Sequence, residues 1–94
     1  MLEKTLQAKV MKYLRGIEGL WCYKVADRYS SGVPDILGCY NGQFFGIELK
    51  VGNNKPTKLQ SHTIEQINQC NGNAVVCYSL DEVKYFIEGM IKRW

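Results

Sequence analysis

Val33-Pro34-Asp35-Ile36-Leu37-Gly38-Cys39-Tyr40-Asn41-Gly42-Gln43-Phe44-Phe45-Gly46-Ile47-Glu48-Leu49-Lys50-Val51 is the stretch that decides the fold. Two apolar runs, 33–40 and 43–51, flank Asn41-Gly42. A type I′ turn needs positive φ at both central residues, and Asn-Gly tolerates that well, so the spacing predicts an antiparallel hairpin. With Asn41 and Gly42 as a two-residue loop, Tyr40 faces Gln43, and counting outward sets Asp35 directly opposite Glu48. Directly opposed residues have Cβ atoms about 4.5–5.5 Å apart, where like charges destabilise unless something positive lies between them. Lys50 is two residues beyond Glu48, so the strand period of two puts its ammonium on the same face. Two carboxylates and one ammonium converge. That donor set suits a hard cation such as Mg²⁺, which takes one or two protein carboxylates and completes its shell with water and substrate phosphate. The competing explanation is a structural salt-bridge cluster, but opposed acids are a costly way to build stability.

Working outward, Leu2, Leu6, Val10, Tyr13, Leu14 and Ile17 fall on one arc of a helix over 2–18, ended by Gly19. An aromatic and apolar run over 20–26 reads as a strand. Thr57 and Gln60 fit a capping box that opens a second helix, with Leu59, Thr63, Ile67 and Cys70 on its inner face and Asn71-Gly72 as the stop. A strand over 74–78 follows. Ser79 and Glu82 form another capping box before a helix whose stripe is Leu80, Val83, Phe86, Ile87, Met90 and Ile91. The order αβββαβα predicts an α/β fold with a central mixed sheet flanked by helices. Two polar residues break the apolar arcs. Glu3 lies on the inner arc of helix 1, where a carboxylate needs a partner, and Gln60 lies on that of helix 2, where its amide either caps its own helix or turns towards the sheet.

With 94 residues there is room for one core, so a single domain over 1–94 is expected. Twelve Lys and Arg against nine Asp and Glu leave +3, compatible with a polyanionic partner without requiring one. Lys24, Arg28, Lys55 and Lys58 flank the acidic pair in sequence and serve either as phosphate contacts or as solvated charges. Cys22, Cys39, Cys70 and Cys77 contain no C-x-x-C pair and His62 is the one histidine, so zinc spacing is missing and buried free thiols are expected. His62 is assigned no role. Trp21, Tyr23, Tyr85, Phe86 and Trp94 could serve a core or an interface. No apolar run reaches membrane-spanning length and the start carries no signal-peptide block, which points to a soluble, cytoplasmic protein with no membrane partner.

Gly32-Val33-Pro34-Asp35 followed by Gly46-Ile47-Glu48-Leu49-Lys50, with Glu3 on a preceding helix and Gln60 on a following one, resembles the PD-(D/E)XK nuclease superfamily. More narrowly, the element order and the G-V-P-D segment resemble the VRR-NUC family, the virus-type replication and repair nucleases, in the small standalone form associated with phages. The resemblance implies a restriction-endonuclease-like fold and hydrolysis of DNA phosphodiester bonds with Mg²⁺ or Mn²⁺. It implies Asp35, Glu48 and the backbone carbonyl of Leu49 as metal ligands and Glu3 completing the acidic shell. It further implies Lys50 positioning the attacking water, Gln60 supporting the site, and a homodimer acting on branched DNA in the manner of Holliday junction resolvases. Glu3 departs from the pattern by its place almost at the terminus, so its role depends on the first helical turn staying formed. Competing functions are a flap, nicking or ordinary duplex nuclease, a non-catalytic nucleic-acid-binding module, and a small structural subunit.

Overall fold

Asn41 and Gly42 both adopt positive φ, 48° and 78°, in the computed structural model, which describes residues 1–26 and 32–93. The elements are α1 (Glu3–Arg15), β1 (Leu20–Lys24), β2 (Ile36–Tyr40), β3 (Gln43–Leu49), α2 (Lys58–Gln69), β4 (Asn73–Cys77) and α3 (Leu80–Ile91). The hairpin has the counted register, with Tyr40 opposite Gln43 and Ile36 opposite Ile47. β1 adds antiparallel to β2, and β4 adds parallel to β3, giving a mixed sheet in the order β1-β2-β3-β4. This is the αβββαβα architecture of restriction-endonuclease-like folds.

Alternation along β3 sorts its side chains. Phe45, Ile47 and Leu49 are fully buried against Leu6, Val10 and Leu14 of α1 and Val83, Ile87 and Met90 of α3. Phe44, Gly46 and Glu48 point to the opposite face, where α2 packs over β3 and β4. Gly32 and Gly46 let this second layer close. A Cβ at Gly32 would lie 2.7 Å from Leu59 Cγ and 2.8 Å from Thr63 Oγ1, and one at Gly46 would lie 3.1 Å from Pro34. The G-V-P-D segment is thus wedged between sheet and helix, which holds Asp35 at the mouth of β2.

Several boundaries depart from the periodicity reading. α1 stops at Arg15 rather than running to 18, because Gly16 lowers helix propensity and its N–H bends back to the Tyr13 carbonyl. Leu2 is the N-cap and is exposed, not part of the buried stripe. No residue of α2 is fully buried: Ile67 and Thr63 are half-buried, while Leu59 and Cys70 are exposed, because the helix covers only half of its sheet face. Its end is a Schellman motif as expected, with Asn71 at φ 66° and the Gly72 N–H on the Ile67 carbonyl. At the start of α3 the capping box is shifted by one residue. Ser79 Oγ accepts from the Glu82 N–H, but the Glu82 carboxylate accepts from the Tyr78 N–H. The thiols are free, yet only Cys77 is fully buried, Cys22 and Cys39 are half-buried and Cys70 is exposed. Arg28 and Trp94 lie outside the described residues.

Gly38 pairs with Phe45, whose ring lies across the glycine. A Cβ there would clash with that ring and lie 2.6 Å from the Trp21 carbonyl oxygen. Gly38→Ala is therefore expected to cost about 1–3 kcal/mol through overpacking, read as a fall in the urea midpoint without a change in slope.

Candidate active site

Asp35 stands one residue before β2 and is fixed from both sides. Its carbonyl accepts from the Val25 N–H at 2.8 Å, extending the β1 pairing, and its Oδ2 accepts from the Leu49 N–H at 2.8 Å. The second bond carries the carboxylate across the hairpin to Glu48. Leu49 is fully buried, so without Asp35 its N–H would have no water to turn to.

Glu48 is 2% exposed, and it is the one buried polar or charged side chain among the described residues. Lys50 Nζ lies 3.3 Å from Glu48 Oε2. Glu48 Oε1 is buried with no hydrogen-bond partner among the described residues. Burial, then the neighbouring Asp35 charge, push the Glu48 carboxyl up to about 7 against the pull of Lys50, and Glu3 adds to the rise. Burial also raises Asp35, opposed by the Leu49 hydrogen bond and by the Lys50 and Lys24 charges. One ammonium cannot neutralise two carboxylates at close quarters.

The three residues marked by the hairpin register therefore meet. Glu3 is the first residue of α1, half-buried and close enough for its charge to reach Glu48. It does not complete a ready cluster, since among the described residues no three such side chains are grouped to hold a metal ion. Gln60 caps its own helix: its Oε1 accepts from the Thr57 N–H at 2.9 Å, and its N–H donates to Thr57 Oγ1 at 3.1 Å. Only its Nε2 is left for any other duty. The Leu49 side chain is in the core, as its place between Glu48 and Lys50 requires. Lys55, Lys58 and His62 are exposed on the α2 side. Lys24, one of the bases that flank the acidic pair in sequence, bears on Asp35 through its charge. Its pairing with Ile36 puts it beside Asp35, but the connection before β2 is too long for a register to be counted through it.

The donor set fits a hard divalent cation. Two carboxylates share one ammonium, one buried oxygen is left unpartnered, and no soft sulfur or imidazole donor is involved. A separate groove of about 660 Å³ between α2 and the hairpin, lined by Phe44, Thr63, Ile67 and Cys70 among others, holds no acid or base and does not include these residues.

A solved VRR_NUC domain is similar in fold, with a TM-score of 0.77 and 26% sequence identity, covering 92% of this chain and 94% of that one. The fold supports assignment to the VRR-NUC family. No family model matches the chain, and no curated protein matches it. In this chain, Gly32, Pro34 and Gly46 shape the seat of Asp35, and the hairpin sets Glu48 and Lys50 beside it.

The Asp35 bond to Leu49 alters what truncation would do. Asp35→Ala strands a buried N–H and is expected to cost about 1–3 kcal/mol, whereas Asp35→Asn keeps an acceptor there and is expected to cost little. Urea denaturation of the two variants side by side measures the difference.

Proposed function

We propose that this chain acts over residues 1–94 as a single divalent-metal-dependent DNA endonuclease domain that hydrolyses phosphodiester bonds, working on branched DNA such as four-way junctions as a homodimer. The observation that carries the proposal is the unpartnered, buried Oε1 of Glu48 beside the Asp35 carboxylate and the Lys50 ammonium. Similarity to a VRR_NUC domain over nearly the whole chain supports the nuclease part.

Asp35, Glu48 and the Leu49 carbonyl would hold Mg²⁺ or Mn²⁺, with Glu3 completing the acidic shell. When bound, the ion supplies Lewis-acid polarisation of the scissile phosphate and acidifies the attacking water. The chain's own residues do the rest. Lys50, held at 3.3 Å by Glu48, offers its remaining N–H donors to the attacking water and to charge developing on the phosphate. The Leu49 N–H keeps Asp35 oriented, so the acidic pair is organised before substrate arrives. Gln60 caps the first turn of α2 through its Oε1, and its Nε2 is the group that would support the site. With no histidine among these residues, no imidazole base is needed.

No helix among the described residues is long and apolar enough to cross a membrane, in keeping with action on cytoplasmic DNA. A homodimer would present two sites to the two strands of a branched substrate and supply a wider binding surface from a small chain. The test is cleavage of four-way junctions, flaps and linear duplex side by side, with and without Mg²⁺, using Asp35→Asn as the control. Mg²⁺-dependent cutting that favours the junction and is lost in Asp35→Asn supports the proposal. Equal cutting of all three narrows it to a general nuclease. DNA binding without cutting in any metal would make the chain a binding module.

A further inference from the structure

Trp21 and Tyr23 of the edge strand β1 are 62% and 55% exposed, with rings parallel to within 4° and centroids 6.3 Å apart. Single exposed aromatics are ordinary, but two on an uncovered edge strand are an association hazard unless something binds them. Their place is informative. Trp21 pairs with Cys39 and Tyr23 with Leu37, while Cys39 and Leu37 pair with Phe44 and Gly46. Both rings therefore lie on the sheet face that carries Glu48, on the half α2 leaves open. Leu37 is one same-face step from Asp35, so the Tyr23 row lies roughly 7 Å from the Asp35 row.

We propose that Trp21 and Tyr23 form a stacking platform for an unpaired base of the DNA strand whose phosphate enters the Asp35, Glu48 and Lys50 site. This rests on the nuclease reading and narrows its substrate to DNA with unpaired bases beside the cut. Two flat, parallel rings offer π faces to a planar base, a contact that tolerates any sequence. At the end of the platform nearest the site, the Lys50 ammonium, 3.3 Å from Glu48, supplies positive charge that matches a phosphate backbone.

The experiment is DNA binding by fluorescence anisotropy in the Asp35→Asn protein, where cutting does not interfere, comparing a forked duplex with a fully paired duplex of the same length. Combined Trp21→Ala and Tyr23→Ala changes are expected to weaken forked DNA about tenfold or more, with little change for the paired duplex. Trp21→Phe with Tyr23→Phe, which keeps the rings, is expected to restore most of the loss. Equal losses on both DNAs, no loss, or no rescue by the ring-keeping variant overturns the platform and leaves the nuclease reading standing. A change of oligomeric state in the alanine variant, seen by sedimentation, overturns it in favour of an interface between copies. No binding of either DNA by the Asp35→Asn protein overturns the nuclease reading together with the platform.

Discussion

Glu48→Gln is expected to abolish cleavage and, in the same molecule, to make the metal-free protein more stable. The glutamine fills the same volume and can accept from Lys50, but carries no charge, so the buried oxygen no longer faces the interior as part of an anion. Its amide also becomes a donor beside the Asp35 carboxylate. Removing an uncompensated buried charge is expected to add about 1–3 kcal/mol near pH 8, read from the urea midpoint. On the proposed reading the change removes a metal ligand and with it the electrostatic stabilisation of the reacting phosphate, and activity is expected to fall by about 10²–10³-fold or more. A purely structural ion pair would behave the other way. Its glutamine variant would be less stable and no less active.

Metal-free wild-type protein is expected to lose stability as the pH rises from mildly acid to neutral, a slope that divalent cation erases. The carboxyl of Glu48 titrates near 4.5 when unperturbed and near 7 in the fold. Between these values the folded state holds a proton that the unfolded chain has released, so raising the pH favours unfolding. The contribution is complete below about pH 4.5 and gone above about pH 7, with an amplitude of up to about 3 kcal/mol. Asp35 is also raised and acts in the same direction. Since the proposed cation would bind the ionised pair, Mn²⁺ is expected to raise the melting temperature more at about pH 8 than at about pH 5. Thermal denaturation at both pH values, with and without Mn²⁺, measures this. A flat profile that Mn²⁺ leaves unchanged would mean that Glu48 is satisfied by Lys50 alone.

Much of this site could be read from residue spacing because a two-residue turn leaves no freedom in counting. Once Asn41-Gly42 closes the hairpin, Asp35, Glu48 and Lys50 follow from the period of two. Helix positions carry less, because periodicity shows which residues share a face and not how much of that face a neighbour covers. That is why Leu59 and Cys70 look inward in the pattern and are exposed in the fold. Gln60 illustrates a competition within one side chain, since its oxygen is engaged by a cap three residues away and periodicity alone cannot rank that cap against a turn towards the sheet. The bond from Asp35 to the Leu49 N–H has no sequence signal at all, since it depends on where the hairpin ladder stops. Lys24 is among the flanking bases, but its place cannot be counted, as its partner strand lies across a connection with no fixed turn geometry.

The central claim is that the Asp35 and Glu48 carboxylates are held together for a divalent cation. Calorimetric titration of Mn²⁺ into the wild-type protein near pH 8, beside Glu48→Gln and Asp35→Asn, tests it without any substrate. Saturable heat in the wild type that disappears in both variants is the expected result. Heats that are the same in all three proteins would contradict the account.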